Sequence, residues 1–223
     1  MLINEAQWLR DQFARQATLS PMLSVGSSTE TFRTVDQPHI ERDVVAPLRA
    51  RGVEIVNLDL KDAPGVDLVG DITDPEFRGA LRARQWGSVL CSNLLEHVLD
   101  PKPICEGIVE VLSCGGLAFI TGPRRYPHHS DPIDTMFRPG PDELAGFFPG
   151  MTPITAEEVA DRRYGSYWWQ YGSLHGMRHN MAVSLVTGLH RPGKRGADVM
   201  ALWSRTSATC LVLQKDLGAA PLE

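Results

Sequence analysis

Apolar residues along the chain come in short blocks separated by amphipathic stretches. Trp8, Leu9 and Phe13, with Gln12 beside them, sit at helical spacing and predict a helix over Glu5–Ala17, ended by Ser20-Pro21. Met22–Val25 predicts a first strand that enters a polar turn at Gly26-Ser27-Ser28, followed by a loop over Thr31–Pro38. A helix from about His39 to Arg51 is closed by Gly52. Val53–Leu58 predicts a second strand ending in Asp59, and Val66–Val69 a brief third ending at Gly70-Asp71. Pro75–Arg84 reads as a short helix, with a fourth strand over Ser88–Cys91 and a fifth over Leu117–Thr121. Short apolar strands alternating with helices predict a doubly wound α/β fold whose mostly parallel sheet is covered on both faces.

Past Pro123 the pattern changes. Residues Arg124–Phe148 are rich in Pro, His and Asp, and Pro139–Leu144 reads as a helix start leading to Leu144, Phe147 and Phe148. Tyr164–Tyr171 gathers two of the five Trp and three of the four Tyr. Such a cluster suits core packing, a substrate wall or a homodimer surface. Met181–Gly188 is an apolar segment, strand or helix, and Thr209–Gln214 predicts a last, antiparallel strand. No repeat or low-complexity linker divides the chain. It reads as one domain over 1–223: an N-terminal helix in 1–20, a ligand-binding core in 21–123, a substrate-side insert in 124–181 and a closing segment in 182–223.

Composition narrows the partners. A chain of 223 residues with 43% hydrophobic content can bury its own core. The net charge of −5 argues against a general nucleic-acid binder. No apolar run approaches the ~20 residues needed to span a bilayer, and Asn4, Glu5, Arg10 and Asp11 interrupt any signal-peptide pattern. The four cysteines are scattered and form no Cys-x-x-Cys pair, as expected of reduced thiols in a cytoplasmic protein.

Ligands of open α/β sheets bind beyond the carboxyl ends of the strands, where the strand order reverses. Gly26 permits a tight turn there and close backbone approach. Asp59 ends the second strand, where a carboxylate accepts ribose hydroxyls or caps the next turn. Asp71, in Gly70-Asp71-Ile72, suits a ligand contact or, with Thr73, a helix N-cap. Two His, two Asp and an Arg follow the fifth strand within Tyr126–Pro139. His128, His129 and Asp131 are metal-ligand types, but adjacent His residues in an extended loop point in opposite directions. No metal is therefore expected.

Cys91-Ser92-Asn93-Leu94-Leu95-Glu96-His97-Val98-Leu99-Asp100-Pro101, together with Leu112-Ser113-Cys114-Gly115-Gly116-Leu117-Ala118-Phe119-Ile120-Thr121-Gly122-Pro123, resembles the central part of the class I S-adenosylmethionine (SAM)-dependent methyltransferases. There the segment reads roughly NxLEHVxDP … LxPGGxLxIxxP. The resemblance implies a seven-stranded Rossmann-like sheet with an antiparallel last strand and an aromatic-rich insert. It also implies SAM as cofactor, held by Gly26, Ser27, Ser28, Asp59, Leu60, Asp71, Ile72, Asn93, Leu94, Glu96 and His97. At the first turn the family usually has DxGxGxG, whereas this chain keeps only Gly26, with Ser24 at the acidic position and Ser28 at the next glycine. The run from Tyr126 to Pro139 is similar to one in small methyltransferase-like proteins found with surface-polysaccharide or glycosyl-transfer systems. It implies a substrate side formed by Tyr126, Asp131, Asp134, Arg138, Tyr167 and Trp168, with His128 or His129 as general base. The implied activity is methyl transfer to an oxygen or nitrogen of a small molecule, a sugar or secondary metabolite. The alternative is a non-catalytic or regulatory protein on the same fold. The single-glycine turn disfavours a dehydrogenase.

Overall fold

In the computed structural model, residues 1–129, 133–166 and 204–218 are described. They build a seven-stranded sheet with the order β3-β2-β1-β4-β5-β7-β6. The strands are β1 (Met22–Val25), β2 (Ile55–Asp59), β3 (Leu68–Val69), β4 (Trp86–Ser92), β5 (Leu112–Arg125), β6 (Met151–Arg163) and β7 (Arg205–Lys215). The first five run parallel. β7 lies antiparallel between β5 and β6.

Side chains alternate across a strand, and here both faces find a core. Leu23, Val89, Cys91, Ala118, Ile120, Leu211 and Leu213 face one cluster, which α4 (Pro75–Arg82) and α5 (Lys102–Val111) cover with Leu81, Ile104, Ile108 and Val111. Met22, Leu90, Phe119 and Val212 face the other. There α1 (Ile3–Ala14) lays down Ala6, Leu9 and Phe13, with the Phe13 and Phe119 rings edge to face at 4.6 Å. Two buried faces require nearly unbroken apolar strands, as the sequence of β4, β5 and β7 provides. Burying each large aliphatic side chain of α5 contributes roughly 1.5–3 kcal/mol, so Ile108→Ala would cost roughly 2–5 kcal/mol.

Three regions depart from the sequence reading. The loop expected over Thr31–Pro38 is partly helical. A π-turn over Phe32–Asp36 is followed by α2 (Pro38–Ile40), a second π-turn (Glu41–Val45) and α3 (Ala46–Ala50). β5 starts at Leu112 and runs through the Gly115-Gly116 pair to Arg125. The stretch assigned to a substrate-side insert contains β6, an edge strand whose side chains are mostly exposed. Thr-Pro-Ile-Thr-Ala-Glu-Glu carries no apolar alternation because most of that strand faces solvent, and edge position also tolerates Pro153. A short helix, α6 (Pro141–Ala145), matches the expected helix start. Cys91, Cys105 and Cys210 are buried, Cys114 is exposed, and all four are free thiols. The Tyr167–Tyr171 end of the aromatic cluster and the Met181–Gly188 segment lie outside the described residues.

Candidate active-site cleft

A cleft of about 720 Å³ opens over the carboxyl ends of β1, β2 and β4. The sheet grows outward from β1 through β2 to β3, then returns to β4 on the other side, so the cleft lies where the strand order reverses.

Its floor is the β1 turn. Gly26 has φ +68° and donates its N–H to the Leu58 carbonyl at 2.9 Å. A Cβ there would stand 2.9 Å from both methyl carbons of Leu94, so glycine is required by backbone angle and by contact. Ser28 follows at φ +55°, a left-handed position normally left to glycine. Asp59 holds this turn. Its Oδ2 accepts the Ser28 N–H at 2.8 Å and its Oδ1 the Lys61 N–H at 3.1 Å, leaving lone pairs for a ligand. Leu60, 70% exposed, extends from the rim beside it.

Two groups that pattern reading missed fix this geometry. Arg33 is buried, and its guanidinium donates to the carbonyls of Ser27 (2.9 Å), Ser28 (2.7 Å) and Gly65 (2.8 Å). Burial pushes its pKa down from the ordinary value. It sits in the π-turn, a segment with no apolar periodicity to mark it. Glu5, fully buried on α1, collects the Leu2 N–H at 2.8 Å on Oε2. Its Oε1 accepts from Asn93 Nδ2 (2.6 Å), Thr121 Oγ1 (2.6 Å) and Ser92 Oγ (3.2 Å). The N-terminal helix is thereby tied to the ends of β4 and β5, and Asn93 is held at φ +49°. A buried acid on an otherwise apolar helix face was the signal available in the sequence.

The far end of the cleft is polar and aromatic. Glu96 is only 2% exposed, its Oε2 has no hydrogen-bond partner, and burial pushes its carboxyl up to about 7. His97 donates from Nδ1 to the Ile133 carbonyl at 2.6 Å, since a carbonyl only accepts; in the neutral ring Nε2 is then the lone-pair nitrogen. His129 packs edge to face on His97 at 5.2 Å and on Tyr126 at 5.5 Å between ring centres. Tyr126 in turn meets Tyr164 at 5.2 Å, and burial pushes its phenol up to about 12. Burial also lowers the His129 pKa, against the raising influence of Asp134.

Gly26, Ser27, Ser28, Asp59, Leu60, Asn93, Leu94, Glu96, His97, Tyr126 and His129 all line this one cleft. Asp71 and Ile72 do not. The Asp71 carboxylate accepts from the backbone and hydroxyl of Thr73 at 2.8 Å each, the turn-capping arrangement, and Ile72 is buried against Gly107. His128 is exposed and does not line the cleft, so the adjacent histidines do part. Asp134 and Arg138 form a brace: Arg138 holds the carboxylate through Nη1 (3.0 Å) and Nη2 (2.7 Å), and the same carboxylate accepts the His129 N–H at 3.1 Å. Although burial opposes it, the Arg138 guanidinium and two backbone N–H groups hold the Asp134 pKa well below the usual carboxylate range. Asp131, Tyr167 and Trp168 lie outside the described residues.

No protein-family model matches the chain, and no curated protein matches it significantly. Solved structures do. Coclaurine N-methyltransferase, bound to N-methylheliamine and S-adenosylhomocysteine, is similar at a TM-score of 0.57 over 94% of this chain and 72% of that one, with 13% identity. The fold is a methyltransferase fold. A protein from Galdieria sulphuraria assigned as a sarcosine dimethylglycine methyltransferase aligns over 96% of this chain and 85% of its own, at TM-score 0.55 and 12% identity. The [4+2]-cyclase SpnF aligns over 95% and 81%, at 0.53 and 16%. A methyltransferase fold therefore also carries other chemistry, and the reaction has to be argued from the cleft. Among the described residues no helix is long and apolar enough to cross a membrane.

Proposed function

We propose that the cleft binds SAM and that the chain transfers its methyl group to an oxygen or nitrogen of a small molecule. The observation that carries this reading is the pairing of Asp59 with the Gly26 turn across one cleft at the strand-order reversal. Its volume lies in the usual range for small-molecule sites. The open lone pairs of Asp59 suit two ribose hydroxyls, and the bare backbone at Gly26 admits the amino-acid end. Leu60 offers an apolar rim for the base. Bound SAM would supply an electrophilic methyl on a sulfonium, so the protein's task is chiefly alignment.

The acceptor falls to the far end. Tyr126 and Tyr164 offer ring faces suited to a sugar or planar ring. In their neutral forms His129, beside Asp134, and His97, with Nδ1 donating to Ile133, offer lone pairs toward an acceptor's proton. His128 is too exposed to share that work, so the base assignment narrows to His129. Cytoplasmic location and the possibility of a homodimer remain part of the reading.

Thermal melts test it. At a hundredfold excess over Kd, SAM or S-adenosylhomocysteine should stabilise the fold by ~2.7 kcal/mol, a shift of several degrees. Asp59→Ala should weaken binding by ~1.5–3 kcal/mol, the worth of hydrogen bonds to a charged group, and remove roughly half of the shift or more. An unchanged shift in Asp59→Ala would remove the ribose assignment.

A further inference from the structure

Glu96, His97 and His129 bring one ligand atom each to within 4.8 Å of one another at the acceptor end of the cleft. Glu96 Oε1 and His97 Nε2 are 3.7 Å apart. A cation held at ~2.0–2.2 Å places its ligand atoms roughly 3–3.5 Å apart, so the most separated donors need to close by roughly 1.3–1.8 Å. We propose that these residues form a divalent transition-metal site, a two-histidine, one-carboxylate set of the zinc, cobalt or iron(II) type.

Three observations distinguish the cluster from a chance meeting of polar groups. First, the groups behind the two rings are of the kind found at metal sites: a hydrogen-bonded carbonyl at His97 and a carboxylate close to, though not hydrogen-bonded with, Nδ1 of His129. His97 Nδ1 is fixed by the Ile133 carbonyl, which turns Nε2 toward the cluster. Asp134 Oδ2 stands 3.0 Å from Nδ1 of His129 and is itself held by Arg138. Ligating histidines are commonly backed by a carbonyl or carboxylate in this way, which sets the tautomer and ring orientation. Second, the turn and the loop that carry the ligands are pinned together: the Glu96 carbonyl accepts both the backbone N–H (2.9 Å) and the hydroxyl (3.0 Å) of Thr135. Third, Glu96 lies almost fully out of solvent with Oε2 unpartnered. A buried carboxylate short of donors is costly, and a cation held at Oε1, the oxygen that faces His97, would offset its charge. Mixed nitrogen and oxygen donors favour a transition ion over magnesium or calcium, which take oxygen.

The site revises the expectation of no metal. That expectation weighed His128, His129 and Asp131, which are neighbours in sequence, whereas the cluster forms across two loops. With an ion bound, His97 and His129 act as ligands in place of a base, and three protein ligands leave coordination positions free on the cleft side for a hydroxyl or amine of the acceptor. That last use rests on the methyl-transfer reading; the metal site does not.

Chelator-treated protein carrying Cys114→Ser, which removes the exposed thiol as a competing ligand, is titrated with zinc by calorimetry and with cobalt by visible absorption. One equivalent should bind at micromolar Kd or tighter, with cobalt d–d bands of a low-coordinate site. His129→Gln and Glu96→Gln should each weaken zinc at least tenfold, and His128→Ala should leave it unchanged. Glu96 is buried, so the far-ultraviolet spectrum must first show that its variant folds; His129→Gln alters a half-buried ring and decides the case if it does not. Absence of zinc binding, or binding that persists in His129→Gln, overturns the proposal. SAM titrated into the same metal-free protein reports the methyl-transfer reading separately.

Discussion

Gly26→Ala tests the turn on which the cleft is built. At φ +68° an L-residue pays roughly 1–2 kcal/mol for left-handed backbone. The new Cβ would also stand 2.9 Å from Cδ1 and Cδ2 of Leu94. Leu94 packs against the main core, so its movement adds an overpacking cost of roughly 1–3 kcal/mol. The two together predict a loss of about 2–5 kcal/mol in urea denaturation at constant m-value. A thermodynamic cycle separates them. In a Leu94→Ala background the contact is gone and only the backbone cost of roughly 1–2 kcal/mol should remain. Equal cost in both backgrounds would show that Leu94 does not press on the turn. A cost below about 0.5 kcal/mol in the wild-type background would refute the left-handed assignment itself.

Other perturbations probe the frame around the cleft. Arg33→Met leaves the Ser27, Ser28 and Gly65 carbonyls without their shared donor and should cost about 2–4 kcal/mol in chemical denaturation; a loss below 1 kcal/mol would mean that water replaces the guanidinium. Ser28→Gly relieves left-handed backbone and should raise stability by up to about 1 kcal/mol, once the greater freedom of the unfolded chain is subtracted. His39 is buried, donates from Nε2 to the Met1 carbonyl at 2.9 Å and has its pKa pushed below the ordinary 6.5 by burial. The unfolded chain then binds the proton more readily, so this contribution to stability is full above pH 6.5 and is lost as pH falls from there toward the lowered value. Unfolding free energies measured across that window should fall more steeply for the wild type than for His39→Gln; parallel curves would exclude His39 as the source.

How much of this was legible in the sequence follows from burial. β1, β2 and β7 are read to within a few residues because both of their faces are covered and their apolar runs are nearly unbroken. β6 escaped because an exposed edge strand needs no apolar alternation. The helix expected from about His39 to Arg51 is present as α2, a π-turn and α3, whereas the π-turn over Phe32–Asp36 escaped because it carries no apolar period. Gly26 and Asp59 could be placed at the cleft because they lie at strand ends, whereas the Glu96-His97 pair was placed there by the family resemblance. Arg33 and Glu5 were not legible: Arg33 lies in a turn without apolar periodicity, and Glu5 acts on side chains far away in sequence. Asp71 shows the converse: a short Asp-x-Thr stretch satisfies its own carboxylate locally, which pattern alone does not distinguish from a ligand contact. Asp134 and Arg138 pair with each other, the alternative to a substrate contact that an Asp and an Arg four residues apart also allow, and the pair holds His129.

The central claim is that this cleft takes an adenosyl ligand. Isothermal calorimetry of the purified chain with SAM, S-adenosylhomocysteine and NAD tests it most directly. The account predicts binding of both adenosyl ligands at one per chain with micromolar Kd, and no heat from NAD. Binding of NAD, or no binding of either adenosyl ligand, would contradict it.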